Sequence, residues 1–496
     1  MIKINATPIC EGFAFAKAFN VISQKLSNET IFKGVEDSII QLDKAFNLSL
    51  KQLRTIKKDG QNEHSFLDAH IMLLEDNMLR DEIVVLIQKE KLDAASAFTI
   101  VLDKYINMMK GSSDQYLQER YLDFLDIKLR VLQNLNKVSI SLSNLEECIL
   151  IIEELYPSLL VNISKNVKGI IALKGGFTSH SGILCRARGI PFVVADVSDD
   201  FTGNVIIEDD VVYLNPTTEI IDSYQRRKVE DDNINKDLGD ICVYANVVNN
   251  EEISNIGEAF SGIGLYRTEF VLMEAQYAFD YLKQAEIYEE ALQMVNGRTI
   301  TFRTFDLGGD KQVDYLPPVQ KGVNNYFVYN KLFENQIKAL LLASKKHPGQ
   351  VKIMFPMIES MKQYQTLKKY IVKMAREEGC KVPSVGMMLE TQSAFINLEE
   401  FKNVDFFSVG TNDLTSELFN VSRDGVILFE HLYVELLATL DRIIKFSNFN
   451  KIPLSVCGEL ISKKEFAKKA IALGLKNISI SPYFINNIYK AINEGE

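Results

Sequence analysis

Two groups of residues have types and spacings that suit chemistry. The first is the run Lys174-Gly175-Gly176-Phe177-Thr178-Ser179-His180-Ser181-Gly182. Its glycines let backbone approach an anion closely, and hydroxyls flank a single histidine just before the helix-like run ILCRARG. A neutral imidazole can attack phosphorus and form a labile phosphoramidate, although a lone histidine is just as readily a satisfied surface residue. His64, His70, His347 and His431 lack such a setting. The second group comprises Arg267-Thr268-Glu269, Arg303 with Asp306 before Gly308-Gly309-Asp310-Lys311, Glu390, Thr411-Asn412-Asp413 with Arg423, and Cys457-Gly458-Glu459. Carboxylates such as Glu390 and Asp413, with no histidine or thiolate cluster, suit a hard cation, Mg²⁺ or Mn²⁺. Arginines fit phosphate oxygens bidentately, and metal plus arginines describes a phosphoryl-transfer site. Cys457 reads two ways, as a small buried hydrophobe or as a proton donor or nucleophile.

The second group makes sense only if distant segments meet. Eight β-like runs recur: 241–248, 262–269, 299–306, 351–358, 384–390, 405–411, 453–460 and 477–482. Amphipathic stretches such as ENQIKALLLASKK and KEFAKKAIALG separate most of them. Eight strands alternating with helices predict a closed (β/α)8 barrel, whose active sites lie at the C-terminal strand ends. Those ends carry the residues named above. The histidine run sits among short β-rich runs, CILIIEEL, GIIALK, PFVVAD, VIIEDD and VVYLNP, which form an α/β unit together with strand-like residues 1–20. Between these runs, HSFLDAHIMLLEDNMLRDEIVVLIQKEK (64–91), SAFTIVLDKYINMMK and QYLQERYLDFLDIKLRVLQNL have helical spacing and predict a bundle.

The expected organisation is an α/β multidomain protein. Residues 1–30 and 138–222 form the histidine-bearing α/β domain, 31–137 an inserted helical bundle, 223–240 a charged linker, and 241–496 the barrel. A length of 496 residues supports several domains. The 47% hydrophobic content excludes wholesale disorder. A net charge of −11 argues against a nucleic-acid binder, and no apolar run is long enough to predict membrane insertion. Six scattered cysteines without a CxxC pair indicate a reducing, cytoplasmic setting.

Taken together, these segments resemble a known family. GGFTSHSGILCRARGIPFVV is similar to the phosphohistidine motif of the phosphoenolpyruvate (PEP)-utilising enzymes. IGLYRTEF, RTFDLGGDK, KIMFPMI, VGMMLE, DFFSVGTNDL and VCGEL resemble that family's successive barrel motifs in order. HIMLLED resembles a segment of the enzyme I type, which sister enzymes with an ATP-binding domain lack. The resemblance implies a TIM barrel that binds PEP, with the metal on Glu390 and Asp413, and with Arg303, Asn412 and Arg423 on the phosphate and carboxylate. His180 then takes the phosphoryl group, Cys457 protonates the enolate to pyruvate, and the phosphate passes to the phosphocarrier HPr on the bundle, as the first step of sugar uptake. It also implies a homodimer through the barrel and a swing of the histidine domain about the linker. Asp68, His70 and Arg120 are candidate exposed contacts for HPr.

The chain departs from the family at one segment. The family has N-P-F-L-G-[YW]-R-A-I-R after the third strand, whose first Arg also grips phosphate, whereas this chain has VNNYFVYNKLFENQIKALLLAS, shorter by roughly two helical turns. Losing one charge-assisted contact costs about 1.5–3 kcal/mol. Lys311, Lys321 and Lys331 are candidate substitutes. HLYVELLATL likewise replaces a Pro-containing turn after Arg423. The alternative reading is therefore an enzyme-I-like regulatory protein that binds HPr and transfers phosphate weakly.

Overall fold

The computed structural model describes residues 1–496 apart from 11, 22–31, 60–64, 112–114, 137–144, 156–162, 165, 175–184, 186–189, 199, 233–235, 255, 273–274, 308–312, 314, 317–321, 422–431 and 494–496. It gives the backbone alone of 56–59, 65–69, 115–120, 122, 226–232, 270, 275 and 483. The chain divides into two compact units, Met1–Tyr224 and Gln225–Glu496.

In the first unit, short β-branched runs bounded by turn residues form one mixed sheet. Its strands are β1 (Ile2–Asn5), β2 (Thr7–Cys10), β3 (Phe13–Asn20), β4 (Cys148–Ile152), β5 (Val167–Ala172), β6 (Phe192–Val194), β7 (Asn204–Glu208) and β8 (Val211–Leu214), in the order β1-β8-β7-β3-β4-β5-β6-β2. All five residues of β4 are buried, as a strand with partners on both edges and cover on both faces requires. The N-terminal strands complete this sheet: β3 pairs parallel with β4 and antiparallel with β7.

Between β3 and β4 the described residues form the helices α1 (Val35–Asp59), α2 (Ser65–Glu75), α3 (Asn77–Glu90), α4 (Ala94–Lys110) and α5 (Gln115–Asn136). Helix α4 begins at Asp93, whose carboxylate accepts from the Ala95 and Ser96 backbone N–H groups. It buries Ala94, Ala97, Phe98, Val101, Leu102 and Ile106, a stripe at helical spacing. Burial of side chains such as Phe98 and Leu102 contributes about 1.5–3 kcal/mol each. The helical spacing read over 64–91 is divided between two helices, α2 and α3. Asp76 leaves helical backbone (ψ 112°) and caps α3 by accepting from the Met78 N–H.

The second unit is a closed barrel of eight parallel strands. They are β9 (Cys242–Val247), β10 (Phe260–Arg267), β11 (Thr299–Arg303), β12 (Val351–Phe355), β13 (Ser384–Leu389), β14 (Phe407–Gly410), β15 (Leu454–Cys457) and β16 (Asn477–Ile480), with β16 closing on β9. Helices alternate with them, and Tyr288, Ile337, Leu340, Ile371 and Phe466 pack into the same core as the strands. Seven of the eight runs read from sequence contain one of these strands and the run 262–269 overlaps β10, which starts two residues earlier, so their polar ends share one rim.

Candidate active site

Arg303 closes β11 and is 3% exposed. Its Nη2 donates to Glu269 Oε1, just past the end of β10, and its Nη1 donates to Met388 Sδ at 3.7 Å. Burial works against the guanidinium charge, but Glu269, Asp306 and Glu390 outweigh it and hold its pKa above the ordinary value. Arg303 therefore stays cationic in a water-poor site.

Glu390 follows β13 directly and is 1% exposed. Its Oε1 accepts from the Met357 N–H at 2.8 Å, with Met357 in left-handed backbone (φ 49°). Its Oε2 is buried and has no hydrogen-bond partner among the described residues. Gly410 makes room for it, because a Cβ there would sit 2.6 Å from Oε2. Burial and then the Asp413 charge push the Glu390 carboxyl well above the usual carboxylate range, against the pull of Arg303. Asp413 lies in the first turn of the helix Thr411–Phe419.

Two crowded carboxylates, one with an orphaned buried oxygen, fit a hard divalent cation. Among the described residues no group of three or more His, Cys, Asp or Glu can hold a metal. A cation there would take Glu390 and Asp413 from the protein and its remaining oxygens from substrate or water.

Asn412 Oδ1 accepts from the Glu459 N–H at 3.0 Å and from the Thr411 hydroxyl at 3.4 Å. This fixes the amide so that its NH₂ is presented as a donor. The single Thr411 hydroxyl proton is shared with the Cys457 carbonyl, the nearer acceptor at 3.0 Å, tying the ends of β14 and β15 together.

Cys457 ends β15 at 2% exposure among Leu265, Met354, Met388 and Phe406. Ser408 Oγ donates to its sulfur at 3.6 Å. Burial, with help from Glu390, pushes the thiol up to about 11, so it carries its proton throughout the neutral range. Cys457 is thus a buried, protonated thiol among apolar groups, the small-hydrophobe reading; its part as a proton donor belongs to the proposed function.

The barrel thus brings together Arg303, Glu390, Asn412, Asp413 and Cys457. His180 and Arg423 lie outside the described residues, as do Lys311 and Lys321. Lys331 is largely exposed and pairs with Glu334 at 3.7 Å. Arg267, read from sequence only as a polar strand end, belongs to this set, because its charge acts on both Cys457 and Glu252. The sequence reading missed Gln336, although a glutamine on the buried face of ENQIKALLLAS is itself a signal.

In the first unit, His70 corrects an expectation. It is not exposed but fully buried, with Nε2 3.3 Å from Asp123 Oδ1, so it serves internal packing rather than a partner surface. Among the described residues beside the histidine run, Lys174 pairs with Glu153 at 2.9 Å. Tyr121 of α5 donates to Glu154 at 2.8 Å, joining bundle to sheet.

The rim thus collects a cationic arginine, crowded carboxylates, an amide held by its oxygen and a protonated thiol, a set that suits phosphate binding and proton donation. Residues 5–120, 145–218 and 223–496 match the models of the N-terminal, mobile and PEP-binding domains of PEP-utilising enzymes. Relatives named phosphoenolpyruvate-protein phosphotransferase include that of Haemophilus influenzae, 30% identical over 97% of this chain and 92% of the relative. Those of Listeria monocytogenes (30%, 98% of this chain, 93% of the relative) and Priestia megaterium (29%, 97% and 91%) are similar. The chain belongs to the PEP-utilising enzyme family.

Proposed function

We propose that the protein is a PEP-protein phosphotransferase that moves phosphate from PEP to His180 and then to HPr. One observation carries this reading: a cationic guanidinium (Arg303), an unsatisfied buried carboxylate (Glu390) and a protonated thiol (Cys457) share one end of one barrel.

Arg303 and Asn412, with Arg423, bind and orient the phosphate and carboxylate of PEP. A divalent cation on Glu390 and Asp413, Mg²⁺ or Mn²⁺, supplies neutralisation of phosphate and enolate charge when bound. A His180 ring nitrogen attacks phosphorus, and the bond from phosphorus to the enol oxygen breaks. The enolate left behind takes the Cys457 proton at carbon three and departs as pyruvate. The thiolate regains a proton before the next turnover, which a pKa of about 11 strongly favours at neutral pH. Phospho-His180 then passes its phosphate to a histidine of HPr and returns to neutral imidazole.

The homodimer and the cytoplasmic location are part of the proposal. No helix among the described residues is long and apolar enough to cross a membrane. The test is the purified chain with PEP, Mg²⁺ and HPr. HPr should acquire an acid-labile, base-stable phosphate; HPr left unlabelled would contradict the reading and favour the weak-transfer alternative.

A further inference from the structure

We propose that Gln336 is a positioning residue for PEP binding, fixing the adjacent ends of β10 and β11 that carry Arg267 and Arg303. Gln336 lies within the helix Asn330–Lys346, outside the barrel wall, yet its side chain is fully buried beside Phe333, Ile337 and Leu340. A buried amide on an apolar face is costly unless it is paired, and this one is paired at both ends. Its Oε1 accepts from the Phe305 N–H at 3.0 Å, and its Nε2 donates to Thr268 Oγ1 at 2.7 Å. The Thr268 hydroxyl in turn donates to the Arg303 carbonyl at 2.5 Å.

The place of these bonds gives them their meaning. The β10–β11 ladder ends at the pair Arg267–Arg303. Beyond it, backbone polar groups lose their strand partners and need others. Gln336 and Thr268 continue the pairing by one step with side chains. Thr268 stands between Arg267 and Glu269, the residue whose carboxylate holds the Arg303 guanidinium. Phe305 stands between Arg303 and Asp306, separated from Arg303 only by Thr304. One amide therefore fixes both strand ends that carry the arginines.

This inference rests on the reading that Arg303 grips the substrate. KM for PEP, kcat and melting temperature are measured for the full chain in PEP-dependent HPr phosphorylation. Thr268→Val removes the hydroxyl at constant shape, and Gln336→Leu removes both bonds. Each should raise KM by about tenfold with kcat changed much less, as loss of ground-state placement requires. Thr268→Ser, which keeps the hydroxyl, should recover most of the loss. The double variant should be no worse than the worse single, since both break one chain of bonds. If Thr268→Val and Gln336→Leu lower the melting temperature but leave KM for PEP at the wild-type value, or if their effects multiply, the inference is overturned. Arg303→Lys separates the two failures: a wild-type KM in that variant overturns the reading of the site itself.

Discussion

At the residue scale, chemistry here is set by burial acting on charge. Cys457 keeps its proton because the same pocket that hides it from water penalises the thiolate. Cys457→Ala should slow pyruvate formation from PEP by about 10²–10⁴-fold, the usual worth of a placed general acid, in a single-turnover measurement. An unchanged rate would show that the proton comes from elsewhere. Glu252 is a second case. Burial pushes its carboxyl up to about 7, against the Val248 N–H and Arg267. Its folded value lies above the unfolded one, ~4.3, so its contribution to stability is fully present below that pH and is lost as pH rises through about 7. Glu252→Gln should flatten that part of the pH–stability profile, measured as denaturation midpoints at acid and neutral pH; an unchanged slope would contradict this. Residue types alone singled out the carboxylates and arginines as candidates, because metal and phosphate select for such groups. The role of Cys457 stayed open, because its neighbours Leu265, Met354, Met388 and Phe406 come from four other segments.

At the element scale, strand ends and helix starts hold the site together. Gly458 has φ +112°, and a Cβ there would lie 2.1 Å from Thr411 Oγ1 and 2.9 Å from Asn412 Oδ1. Gly458→Ala should cost about 1–3 kcal/mol from backbone strain alone and displace Asn412, which is read as a lower melting temperature together with a raised KM for PEP. A variant with wild-type KM would mean that the β15 turn does not place the amide. The barrel strands were legible because parallel strands buried on both faces leave nearly continuous apolar runs, such as IMF in β12 and VGMML in β13. The break at Asp76 was not, because Leu79 stands where a capping box would place Glu or Gln, and the apolar period runs on through the cap. The burial of His70 was equally hidden, since its partner Asp123 is 53 residues away.

At the scale of the whole molecule, the proposed reaction divides between the two units. The barrel in Gln225–Glu496 contains the groups that fit PEP, and Met1–Tyr224 contains the histidine run and the helical bundle. Phosphate cleaved in one unit must reach His180 in the other, and this transfer is the central claim. It is tested by incubating wild-type and His180→Ala chains with PEP labelled in its phosphate, plus Mg²⁺ and no HPr, and then counting protein-bound label before and after mild acid. The wild type should take up close to one acid-labile phosphate per chain and His180→Ala none. Equal labelling of the two chains would contradict the account.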